Sequence, residues 1–134
     1  MNIRATVLYI MMILMIITLA NFGMLAPLSK WLHQLPYGDK IIHFIAFGGL
    51  AFMVNISLKC AVWRVGQWSI LKGSILILVL ITLEEGSQYF LPSRTFSFAD
   101  LFANYAGILV FSYVSLAFSC FNNAIPQATP SQTD

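Results

Sequence analysis

Charge is what this sequence has least of: Asp, Glu, Lys and Arg make up 9% of its 134 residues, against about 25% in soluble proteins. Seven basic and five acidic side chains cannot coat so small a globule when 59% of the chain is hydrophobic, because small domains bury only part of their surface. A soluble single domain is excluded, and a membrane protein is predicted. Cysteine is nearly as scarce, and two of them are too few for a disulfide-stapled secreted miniprotein. The apolar excess excludes a disordered chain. A net charge of +2 with no concentrated basic face excludes a nucleic-acid partner.

What the chain has instead is long apolar runs. Ala5 to Leu25 follows a single charge, Arg4, and as a helix it is long enough for the ~30 Å hydrocarbon core. It reads as a first span rather than a cleaved signal peptide, because it exceeds a usual h-region and no small-x-small cleavage site follows. Further runs cover 41–58, 70–90 and 98–121, separated by segments carrying Pro36, Gly38, Lys59, Arg64, Pro92 and Arg94. The expected fold is all-α: a polytopic, antiparallel four-transmembrane-helix bundle over residues 1–121. A tail over 122–134, rich in Pro, Gln, Ser and Thr, is expected to be disordered.

Lys and Arg in short loops set orientation. Arg4, Lys59, Arg64 and Lys72 fall on one side, and Lys30, Lys40 and Arg94 on the other. Lys40 and Arg94 sit beside acidic residues, so discounting them leaves four against one and predicts both termini in the cytoplasm. Trp31, Tyr37, Trp63, Trp68 and Tyr89 lie near span ends, as an aromatic belt requires. Cys60 and Cys120 then lie at cytoplasmic ends, reduced and unlinked. Between the first two spans, Leu28, Trp31, Leu32 and Leu35 recur at helical spacing, which predicts a surface helix lying over the bundle's outer end. His33, on that piece, is expected to be solvated.

In such a bundle the start of the second helix, the end of the third and the start of the fourth share one membrane face. The intramembrane charges sit at those three places: Asp39, Lys40 and His43; Glu84, Glu85 and Gln88; Arg94, Asp100 and Asn104. Within each helix they are three or four residues apart and share a side. A charged side chain at the bilayer centre costs at least ~2.5 kcal/mol, so this gathering needs a reason. The functional reason is a polar pocket just below the extracytoplasmic surface, where Arg94 and Lys40 would take a carboxylate or phosphate and His43 with Glu85 or Asp100 would move protons. The structural reason is a network in which Arg94 pairs with Glu85 or Asp100 and His43 hydrogen-bonds Asp39.

Narrower chemistry is disfavoured. One His with carboxylates and no Cys is a poor zinc set, so no metal and no cofactor are expected. Ser97 could act as a nucleophile with His43 as its base, but Ser97-x-x-Asp100 ahead of an apolar helix is the pattern of an N-cap. Gly48-Gly49 reads as a helix-packing contact, as does Gly107, while Asn55 and Lys72 read as interfacial.

The ordered set Asp39-Lys40-x-x-His43, Glu85-x-x-Gln88, Arg94 and Asp100-x-x-x-Asn104-x-x-Gly107 resembles the VanZ-like family of small bacterial integral membrane proteins. The match covers about Pro36 to Gly107. The resemblance implies a multi-pass protein of the bacterial cytoplasmic (inner) membrane serving the cell envelope. The family is named for an accessory protein of glycopeptide-resistance clusters, associated with reduced susceptibility to teicoplanin, a lipophilic antibiotic acting at the outer cell surface. It implies that Asp39, Lys40, His43, Glu85, Gln88, Arg94, Asp100 and Asn104 are the polar signature of the site, and it supplies no reaction; Glu84, next to the signature glutamate, and Ser97, from its own position ahead of the helix, are taken as supporting residues. Two functions follow. One is a membrane enzyme acting on an amphiphilic or lipid-linked envelope molecule; the other is a non-catalytic protein that binds or excludes such a molecule or supports envelope assembly. An ion-coupled transporter fits less well, because the cytoplasmic halves of the spans show few polar groups. Beyond the bilayer and such an amphiphile no partner is implied.

Overall fold

The computed structural model describes residues 3–91 and 97–124, and all side chains among them except those of residues 33, 65 and 122–124. Five helices and one hairpin follow in order: α1 (Ile3–Asn21), α2 (Ala26–Gln34), α3 (Gly38–Ser57), β1 (Val62–Val65), β2 (Trp68–Leu71), α4 (Lys72–Gln88) and α5 (Phe98–Ala124). Among the described residues the fold is thus all-helical apart from one short antiparallel ribbon. Helices α1, α3 and α5 are long and apolar enough to cross a membrane.

The four long helices alternate in direction. Thr6 near the start of α1 meets Ser57 at the end of α3 (Oγ1 to Oγ 2.7 Å). Asn55 late in α3 meets Ser74 early in α4, and Ser74 meets Ser112 late in α5. Helices α3 and α5 therefore run parallel, stitched by the edge-on ring pairs Phe44–Phe111 and Phe52–Phe118. They approach closely because both are glycine-bearing where they touch: a Cβ at Gly107 would collide with the Phe44 carbonyl, and one at Gly48 would lie 2.9 Å from the Gly107 carbonyl oxygen. Around this seam Phe47, Leu50, Ala51, Val54, Ile77, Ile81 and Ile108 form the core, and α1 adds Ile13. Outward, each long helix presents large apolar side chains such as Leu8, Met11, Leu83, Phe102 and Leu109. A surface of that kind requires hydrocarbon around it.

The hairpin corrects the expected third span. Ile70 and Leu71 do not open a helix; they pair with Trp63 and Val62 across a two-residue turn at Gly66-Gln67. Gly66 takes φ +60° at the first turn position, where a primed hairpin turn needs a residue without Cβ. The third apolar helix is thereby 17 residues long, about 26 Å at 1.5 Å per residue. The other spans shift at their ends. α1 stops at Asn21, before the turn over 22–25 in which Gly23 has φ +72°, and α3 begins three residues early, taking Asp39 and Lys40 into its first turn. α5 runs on through 122–124, so that part of the expected disordered tail is helical; residues 125–134 lie outside the described residues. Of the segment 26–38, residues Ala26–Gln34 form the helix α2, entered through Pro27 and carrying an exposed Trp31.

Candidate functional site

The polar site forms where α3 starts, α4 ends and α5 starts. Ser97 caps α5: its Oγ accepts the Asp100 N–H at 3.3 Å and its carbonyl accepts the Leu101 N–H at 3.1 Å. The usual reciprocal bond, from the third helical side chain back to the cap's N–H, is not made by Asp100. Glu85 of α4 makes it instead, with Oε1 accepting the Ser97 N–H at 3.1 Å. Its other oxygen, Oε2, accepts from Gln88 Nε2 at 3.3 Å. The same Nε2 reaches both oxygens of Glu84, at 3.0 and 3.1 Å. Glu84, Glu85, Gln88 and Ser97 are one connected unit locking two helix ends together.

Asp100, released from capping, turns to α3. Lys40 Nζ lies 2.5 Å from Asp100 Oδ1 and 3.1 Å from Asp39 Oδ2, so one ammonium joins two carboxylates across the α3–α5 seam. His43, one turn on from Asp39, points Nδ1 at the side-chain carbonyl of Asn104 at 3.1 Å. An oxygen there requires the hydrogen to be on Nδ1. Nε2 then faces Asp39 Oδ1 at 3.8 Å, beyond hydrogen-bond length. The expected Asp39–His43 hydrogen bond is thus replaced by a bond between helices, and Asp100 takes Lys40 as its partner. Arg94, expected either to take a carboxylate or phosphate or to pair with Glu85 or Asp100, lies outside the described residues.

Burial is graded across the site. Glu85 and Asn104 are 0% exposed, Gln88 2% and Asp100 9%, while the Asp39 and Lys40 side chains remain about a quarter to a third exposed. Asn104 carries an unmatched group: its Nδ2 is buried and has no hydrogen-bond partner among the described residues. A buried donor left unpaired costs about 1–3 kcal/mol, which makes this amide a place for an acceptor to arrive. Asp39, His43 and Asp100 also bring one metal-ligand atom each within 4.8 Å of one another. The cation at those carboxylates is the ammonium of Lys40.

A second polar network was missed. Asn55, expected at the interface, is fully buried. It donates to Ser74 Oγ at 2.8 Å, Ser74 meets Ser112 Oγ at 2.6 Å, and Ser115 Oγ donates to the Ser112 carbonyl at 2.7 Å. Cys60, half-buried and free of any disulfide, points its thiol at the Ser115 carbonyl. Twelve residues of α3 separate His43 from Asn55, about 18 Å, and the interval is filled by Phe47, Leu50 and Ala51. The two networks are distinct rather than one polar path. Lys72 is exposed at the start of α4, with Nζ 6.0 Å from the Trp63 ring centre.

Comparison of the chain with protein-family models, with curated proteins and with solved structures finds no match.

Proposed function

We propose that this chain is a VanZ-like multi-pass protein of the bacterial cytoplasmic membrane, crossing it four times with both termini inside. Its polar site at the extracytoplasmic face receives an amphiphilic cell-envelope molecule or a lipophilic glycopeptide. In this reading α4 is the fourth span. Its 17 residues sit at the short end of the spanning range, extended by a hairpin whose Trp63 and Trp68 are exposed at interfacial depth. The hairpin end carries Arg4, Lys59, Arg64 and Lys72 and faces the cytoplasm.

The observation that carries the reading is Asn104: a fully buried amide in an apolar helix, bonded through its oxygen to His43 of the cluster, with a donor that nothing in the described protein accepts. Buried polar groups are nearly always satisfied, so an acceptor-bearing ligand is the natural complement. A non-catalytic role is favoured over turnover by one further observation. Glu85 is held by Ser97 and Gln88, His43 by Asn104, and Asp100 by Lys40, so the acids and the base hold structure rather than stand open to a reacting atom.

Binding of a fluorescent lipophilic glycopeptide to bacteria expressing the chain tests this. Wild type should change surface binding, and Asn104→Leu, which removes the donor while keeping size, should abolish that change at equal membrane expression. Unaltered binding in both would defeat the reading.

A further inference from the structure

Between α1 and α4, floored by α3, runs an apolar groove of about 400 Å³. Ile10 and Ile17 line one wall, Leu76 and Leu80 the other, and Leu50 and Val54 the floor. Its polar groups sit at the ends. Thr6 and Ser57 close one end and are bonded to each other; Glu84 stands at the other, where it joins the polar site through Gln88. No ion pair of Glu84 is present among the described residues.

We infer that this groove holds one acyl chain of a membrane amphiphile whose head carries a protonated amine, seated against Glu84. The inference rests on the membrane reading above and names the ligand class for the same site. Three arguments fix the occupant. Water is excluded, since it needs two to four polar partners and the walls offer none. Emptiness is excluded, since walls facing vacuum lose their dispersion contacts. The lining runs from Ile3 to Ile17 on α1, about 21 Å, longer than the ~15 Å of one leaflet. An outer-leaflet chain therefore fits end to end. The head then meets the carboxylate of Glu84, which complements an ammonium rather than a bare phosphate.

Photo-crosslinking decides it. The full chain would be reconstituted in phosphatidylcholine vesicles with a trace of phosphatidylethanolamine, or of phosphatidylglycerol, each bearing a diazirine on the acyl chain, and labelled peptides mapped by mass spectrometry. Expected is label on Ile10 and Leu80 at least fivefold above that on Leu83 and Phe102, and stronger with the amine-headed probe. Leu80→Trp should remove most of the groove label, Leu80→Ala should retain or increase it, and Glu84→Gln should erase the difference between the two heads. Label spread evenly over Leu80, Leu83 and Phe102 would overturn the groove, and equal label from both heads in wild type would overturn the amine. The site reading fails separately. Groove label with Glu84 facing the cytoplasm sinks the proposed orientation and leaves the groove, whereas a correctly oriented cluster with no groove label sinks only the groove.

Discussion

Glu85, on the last turn of α4, supplies Oε1 to the backbone N–H of Ser97 at 3.1 Å, so the N-terminus of α5 is capped by a side chain from a different helix. The consequence reaches two residues further. With Glu85 serving Ser97, Asp100 is spared that duty and pairs with Lys40 on α3, and three helix ends are bound by two carboxyl groups.

Removing the Glu85 carboxyl should therefore cost more than an ordinary cap. Glu85→Ala strands a backbone N–H and one bond of Gln88, and we expect about 1–3 kcal/mol of lost stability. Glu85→Gln keeps an acceptor oxygen and should lose less than half as much. Unfolding of the purified protein in mixed micelles, followed by tryptophan fluorescence, reads both. Equal loss from the two variants would show that the bond to Ser97 is not what matters.

The seam of α3 and α5 gives a sharper contrast between two glycines. At Gly107 an added methyl meets the Phe44 backbone, which cannot swing aside, whereas at Gly86 it meets nothing within 4 Å. Gly107→Ala should destabilise by about 1–3 kcal/mol or more, and Gly86→Ala should be neutral or stabilise by up to ~1 kcal/mol through helix propensity. The same unfolding assay compares them, and a tolerated Gly107→Ala would mean that the helices are further apart than described.

The Lys40–Asp100 pair joins partly exposed groups, with 32% and 12% of the side chains accessible, so screening limits its worth. A double-mutant cycle of Lys40→Met and Asp100→Asn should give a coupling of about 0.5–1 kcal/mol, shrinking as salt is raised. Coupling that is absent at low salt would place the ammonium elsewhere.

The apolar runs announced α1, α3 and α5 because each is a long stretch with charge only at its borders. The cluster was legible because its members recur at three- and four-residue spacing at helix ends that an alternating bundle must bring together. Pairings inside it were not. His43 and Asn104 are 61 residues apart, and nothing local distinguishes that partner from Asp39, one turn away. The hairpin was overlooked because Ile70 and Leu71 continue the hydrophobic run of α4, although Gly66 between two β-branched and aromatic stretches was a turn signal. Asn55 misled for a different reason. A single amide near a span end reads the same whether it faces headgroups or a neighbouring helix; the bond to Ser74 and the approach of Gly73, where a Cβ would strike its side chain, show which.

The juxtaposition of the α3 and α5 starts, and the outward orientation proposed for them, are tested most directly by a cysteine pair. In a chain with Cys60→Ser and Cys120→Ser, the double variant Asp39→Cys and Asp100→Cys should form a crosslink under mild oxidation in intact cells. Reduced, both positions should be labelled by a membrane-impermeant maleimide from outside. No crosslink, with the two positions labelled from opposite sides of the membrane, would contradict the shared site.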